Sequence, residues 1–318
     1  MSRTAVRAAV GAIALLLVLS ASPAYAGDGN RGRGSRTLEY PLPGTDVFPE
    51  GIDTFGRYFY VTSTSTGDVF RGEVRDTDSV EVFLPGGEDG RTTAVGIEAT
   101  EDLLIVAGGA TGTVFVYERD SGELLASHTV PEGGPAFLND IAVTRDGDVY
   151  VTDSPRDVVY RIPEDAVAEG GELEVFASFA GVDPAGQFNA NGIVATRDGR
   201  YLIVVQSDTG TLLRVSTADA SVQPIDLDGA TVVAGDGLEL KGGRTLYVVR
   251  NSAGVITEVR LEGRFTEGRV VSETTDPTFR FPTTAALDRG RLLVVNSQFD
   301  QRGGDPVEPF TVSSIKRP

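Results

Sequence analysis

The stretch NGIVATRDGRYLIVVQSDTGTLLRV, Asn191 to Val215, holds three apolar runs separated by two turns. Its first turn carries Asp-Gly between GIVAT and YLIVV, a strong hairpin signal. YLIVV does not alternate, which suits a strand buried on both faces. The unit recurs. EGIDTFGRYFYVTSTSTGDVFRG from Glu50, VGIEATEDLLIVAGGATGTVFVY from Val95 and NDIAVTRDGDVYVTDSPRDVVYRI from Asn139 share its plan. So do DGLELKGGRTLYVVRNSAGVITEVR from Asp236 and the weaker TAALDRGRLLVVNSQFD from Thr284. Successive starts lie 45, 44, 52, 45 and 48 residues apart.

After the three strands of most units comes a fourth, more variable one: SVEVFLP, ELLASHTV, ELEVFASF or SVQPIDL. Four antiparallel strands at this period describe a propeller blade. Upstream of Glu50, TLEYPLPGTDVFPEGI copies SVEVFLPGGEDGRTTAVGI ahead of the second unit. Thr37 to Pro43 therefore has the form of an outer strand without its first three, and the sixth unit ends near FTVSSI without its fourth. The expected fold is all-β, a single six-bladed β-propeller over residues 37–318. Its last blade is closed by the N-terminal strand, which removes the open edge. No long 3.6-residue periodicity competes with this reading; only EDAVAEG, Glu164 to Gly170, reads as a helical turn, inside an insertion between units three and four.

Residues 1–26 read differently. Arg3 and Arg7 precede an apolar run of 12 residues, Ala8 to Leu19, and then SASPAYA. This order matches a secretory signal peptide, with cleavage expected after Ala26. The run is too short to span a hydrocarbon core of about 30 Å. Residues 27–36 are expected to be a polar, flexible lead-in. The expectation is a secreted, extracellular protein that keeps no membrane contact after cleavage. Loss of the two leader arginines takes the net charge from -18 to -20. Such acidity argues against nucleic-acid and anionic-membrane partners. Without any cysteine, disulfides, thiolate metal sites and cysteine nucleophiles are excluded.

Aligning the first position of each unit gives Glu50, Val95, Asn139, Asn191, Asp236 and Thr284. Innermost strands begin beside a propeller's channel, so this column should ring the axis. Two carboxylates and two amide oxygens then converge, a hard donor set suited to one divalent cation. Asn or Asp before Gly is also an ordinary turn pair; Glu50 fits that explanation less well.

The units EGIDTFGRYFYVTS, LNDIAVTRDGDVYVTD, NANGIVATRDG and AGDGLELKGGRTLYVV resemble the gluconolactonase–regucalcin (senescence-marker-protein-like) family across nearly all of the chain after the leader. The resemblance implies a channel cation held by Glu50, Asn191 and Asp236, with Asn139 beside it contacting substrate or water. Ca²⁺ is the first expectation for that ion, with Mg²⁺, Mn²⁺ and Zn²⁺ as alternatives. It also implies hydrolysis of a lactone or related ester, with Asp236 as base and Asn139 as its partner in catalysis. Sugar lactonases of this family commonly carry Arg two residues before the third-blade Asn, where this chain has Phe137. That substitution points to a less polar substrate, unless Phe137 packs between blades instead. The alternative function is a non-enzymatic extracellular propeller that binds a carbohydrate or protein partner and keeps a structural cation. Elsewhere, Thr152-Asp153-Ser154 and Gln206-Ser207-Asp208 read as turn formers, and the single histidine, His128, as exposed decoration on an outer strand.

Overall fold

A computed structural model describes residues 36–182 and 189–318. The expected signal peptide and all but the last residue of the lead-in lie outside the described residues. The strands form six sheets, five of four strands and one of five. Blade 1 comprises Pro49–Phe55, Tyr58–Ser63, Val69–Glu73 and Asp76–Leu84 in simple up-and-down order. Blades 3, 4 and 5 follow the same order from Leu138–Val143, Ala190–Ala195 and Gly235–Lys241.

The core is divided among the blade interfaces. YLIVVQ in Tyr201–Gln206 is buried from its second residue onward, and its Ile203 and Val205 pack with Leu246 and Val248 of blade 5. The outermost strand Glu267–Thr274 shows no fully buried residue and alternates exposed with half-buried positions. Unbroken aliphatic runs therefore sit inside, and alternating runs form the rim, as burial on two faces or one requires.

Ring closure follows the sequence expectation. Leu38–Pro41 pairs antiparallel with Thr311–Lys316, placing Tyr40 opposite Val312. Tyr40 is fully buried, donates to the Val74 carbonyl at 2.5 Å and meets the Phe59 ring edge-on at 5.0 Å. One side chain thus ties the closing strand of blade 6 to blade 1. Tyr40→Ala should cost about 3–5 kcal/mol in a denaturant melt, the usual range for deleting a buried ring. A loss below 1 kcal/mol would show the seal to be dispensable.

Two local features depart from the simple repeat. The segment after blade 3's third strand forms a short 3-10 turn at Glu164–Ala166. Gly171–Glu172 then runs parallel to the outer strand of blade 2, pairing with His128 and Thr129. This covers His128, which is only 2% exposed and has Nε2 3.0 Å from the Val167 carbonyl. The expectation of an exposed histidine is therefore corrected: the insertion folds back over the edge that was read as open.

Candidate active site and metal centre

Each innermost strand except blade 2's carries a register shift where its unit begins, as between Pro49 and Ile52, Leu138 and Ile141, or Ala190 and Ile193. The same irregularity falls between Gly235 and Leu238 and between Pro282 and Ala285. A bulge re-aims a side chain and leaves a backbone N–H outside the ladder. In blades 1 and 3 a threonine on the adjacent strand takes up that N–H. Thr62 Oγ1 accepts from Gly51 N at 2.8 Å and donates to the Val95 carbonyl of the next blade. Thr152 Oγ1 accepts from Asp140 N at 3.0 Å and donates to the Asn191 carbonyl at 2.8 Å. The blades come so close that a Cβ on Gly51 would lie 2.3 Å from Val95 O, and one on Gly192 2.2 Å from Asp236 O. Glycine at these two positions is a condition of the approach.

The bulges bring the aligned column together. Glu50, Val95, Asn139, Asn191 and Asp236 line one cavity of about 790 Å³. Thr284 lies beside it, its Oγ1 3.4 Å from Glu50 Oε1. Glu50, Asn139, Asn191 and Asp236 are 4–7% exposed. Phe137 lines the same cavity with Phe281, Phe299 and Val233, so the position where the resembling lactonases carry Arg faces the site. Its half-buried ring makes that wall apolar.

Side chains just past the second strands of blades 3, 4 and 5 orient these groups, Ser154 and Ser207 among them where turn formers were expected. Asn139 Nδ2 donates to Ser154 Oγ at 2.9 Å, and Asn191 Nδ2 to Ser207 Oγ at 2.9 Å. Both serines donate onward to the next innermost strand, at Ala190 O (2.7 Å) and Gly235 O (2.6 Å). Asn251 Nδ2 donates to Asp236 Oδ2 at 2.9 Å. Ser154, Ser207 and Asn251 end the middle stretch of their units (VTDS, VVQS, VVRN) in one register. That column was a readable signal. With each amide nitrogen engaged by a hydroxyl, its oxygen is turned to the remaining side, and the buried Asn139 Oδ1 has no hydrogen-bond partner among the described residues.

Burial pushes the Glu50 carboxyl well above the ordinary range, and the carboxylates of Asp236 and Asp140 add to the shift. Asp236 is pushed up to about 7 by burial, opposed by the amides of Asn251 and Asn191. Two buried carboxylates near one another, together with an orphaned amide oxygen, form a site short of positive charge. That deficit and the oxygen-only donors fit a hard divalent ion. Among the described residues, no group of three or more Asp, Glu, His or Cys side chains is disposed to hold a metal. The fit thus rests on two carboxylates supplemented by amides.

A further set of acids, missed in the sequence reading, lines a smaller cavity of about 190 Å³ with Asp53, Glu98, Asp140 and Glu239. Three of them occupy the fourth position of EGID, VGIE and DGLE. Each accepts a backbone N–H from the following blade: Asp53 from Ala99 at 2.8 Å, Asp140 from Ile193 at 3.0 Å, Glu98 from Val143 and Glu239 from Leu287. Their role is stapling. Burial raises Asp53 to about 6, Asp140 to about 7 and Glu239 to about 8.

No protein-family model matches the chain, and no curated protein matches its sequence. Solved structures do share its fold. The major allergen Mala s 1 of Malassezia sympodialis superposes with a TM-score of 0.66 at 15% identity, covering 87% of this chain and 95% of its own. XC5397 of Xanthomonas campestris, a gluconolactonase, gives 0.61 at 16% identity, with 89% and 90% covered. Virginiamycin B lyase of Staphylococcus aureus gives 0.60 at 12% identity, with 89% and 99% covered. At these identities the likeness is one of architecture, and the chain is a six-bladed β-propeller.

Proposed function

We propose that the chain is a divalent-cation-dependent hydrolase of a lactone or related ester, acting in the cavity above Glu50 and Asp236. The observation that carries this reading is the convergence of Glu50, Asn139, Asn191 and Asp236 on one cavity, with Asn139 Oδ1 unpartnered among the described residues. Glu50, Asn191 and Asp236 would hold the ion, Ca²⁺ first, with Asn139 beside it. When bound, such an ion polarises a carbonyl oxygen and stabilises the charge that develops there. Asp236, held in place by Asn251 at 2.9 Å, accepts the proton of the attacking water. Asn139, fixed through Ser154, presents its oxygen to that water or to a substrate hydroxyl. Phe137, Phe281 and Phe299 exclude bulk water and favour a substrate of low polarity over a sugar lactone.

Elemental analysis and melting, with calcium or with EDTA, test the ion. Calcium at a hundredfold excess over Kd should add about 2.7 kcal/mol of stability. Identical melts and no bound metal would remove the cation. A panel of apolar lactones and aryl esters tests turnover. Cation binding with no turnover of any ester would favour the alternative, a secreted propeller that binds a glycan or protein and keeps the ion as a structural pin.

A further inference from the structure

Among the described residues, one basic group stands at the cavity without an acidic partner. Arg302 follows the 3-10 turn Phe299–Gln301 of blade 6 and lines the same cavity as Asp236. Its guanidinium lies between two rings, 4.8 Å from the Phe48 centroid and 4.6 Å from that of Phe299. It donates to Thr64 Oγ1 and, at 3.5 Å, to Ser65 Oγ. A guanidinium carries five N–H donors in a fixed fork, so two hydroxyls leave most of the fork without an acceptor among the described residues. Arg302 is an exposed residue, whereas some half-buried arginines here are more fully engaged. Arg156, for instance, reaches four backbone carbonyls, the Tyr160 hydroxyl and the Asp153 carboxylate. Burial alone shifts Arg302, downward, with no carboxylate contributing. In a chain of net charge -18, an arginine placed between two rings, with no acidic partner among the described residues, offers an anion anchor.

We propose that the cavity takes an amphipathic carboxylate: an apolar body against Phe137, Phe281 and Val233, with its anionic group on the Arg302 fork. This deepens the hydrolase reading, and rests on it, by giving the ester or lactone a carboxylate remote from the reacting carbonyl. A planar carboxylate matches the guanidinium fork with two parallel bonds. Its single charge balances one arginine, whereas a phosphate near -2 would leave excess negative charge in a cavity that already holds Glu50 and Asp236.

The test is calorimetric titration of the purified protein with decanoate and with decanamide, which share a chain and differ in charge. Wild type should bind decanoate about tenfold more tightly, the scale of a charge-assisted contact. Arg302→Gln should bind the two equally, and Arg302→Lys, which retains the charge, should keep part of the preference. Equal binding by wild type, no binding of either probe, or a preference that survives in Arg302→Gln would overturn the proposal. The last result would mean that the carboxylate is anchored elsewhere, the cation site included. If Arg302→Gln fails to fold, Arg302→Lys decides by the size of its residual preference: an unreduced one counts against the fork. Because this readout is binding, an Arg302-dependent preference with no ester turnover would sink only the hydrolase reading. Turnover without such a preference would sink only this one.

Discussion

Asp236→Asn should lower ester hydrolysis about a thousandfold, within the range for losing a positioned base, and should abolish the calcium-dependent rise in melting temperature. The same substitution should raise the melting temperature measured in EDTA. Glu50 and Asp236 are both buried, and each feels other carboxylates, so removing one charge relieves the repulsion when no cation is bound. An isosteric amide can still accept from Asn251 Nδ2, which keeps the floor of the cavity in shape. The opposed signs are the diagnostic. A variant that loses activity and is destabilised equally with and without calcium would indicate a packing role for Asp236. Unchanged turnover would remove it from the mechanism.

The second large effect concerns pH. Glu239 is half-buried and is pushed from its ordinary value of 4.5 up to about 8, first by burial and then by the Asp53 charge. A carboxyl whose folded pKa is raised supports the fold in its neutral form. That contribution is complete below its unfolded value and disappears as pH rises through about 8. Asp53, raised from 3.8 to about 6, adds the same trend at lower pH. In EDTA the protein should therefore melt higher near about pH 5 than near about pH 8.5. Glu239→Gln retains an oxygen for the Leu287 N–H and cannot ionise. It should raise the melting temperature at the alkaline end and leave the acid end almost unchanged. An equal shift at both ends would point to altered packing, and the titration account would fail.

Much of this was legible because the chain repeats. Six aligned units placed Glu50, Asn139, Asn191 and Asp236 in one column, and a propeller turns a column into a ring around its axis. Three of the four staple acids and the serines behind the amides also sat in regular columns. The serines passed unread because a residue ending a strand before a turn has a sufficient local explanation, and the acids because an acid within a strand reads as facing solvent. Only the neighbouring blade, which supplies the N–H for Asp53 or the carbonyl for Ser154, reveals the second role. His128 was misread for a related reason, since the segment that covers it arrives from an insertion some forty residues further along. Arg302 had no column at all. It lies in a loop of the last blade without counterparts in the others, and its meaning depends on the rings of Phe48 and Phe299.

The pairing of Tyr40 with Val312 also bears on time. The earliest-made strand of the propeller is matched to the last, so blade 6 has no complete sheet until synthesis has passed Lys316. Contacts this distant in sequence are the slowest to form, since a long loop must close before they reward it. Blades 1 to 5 can assemble in order of synthesis, while the sealing of blade 6 sets the final rate. Refolding should then show a slow phase reported by Tyr40 that is absent from probes in blades 3 and 4. Until that phase is over, the edge of Thr311–Lys316 is the part of the molecule most open to pairing with the wrong chain.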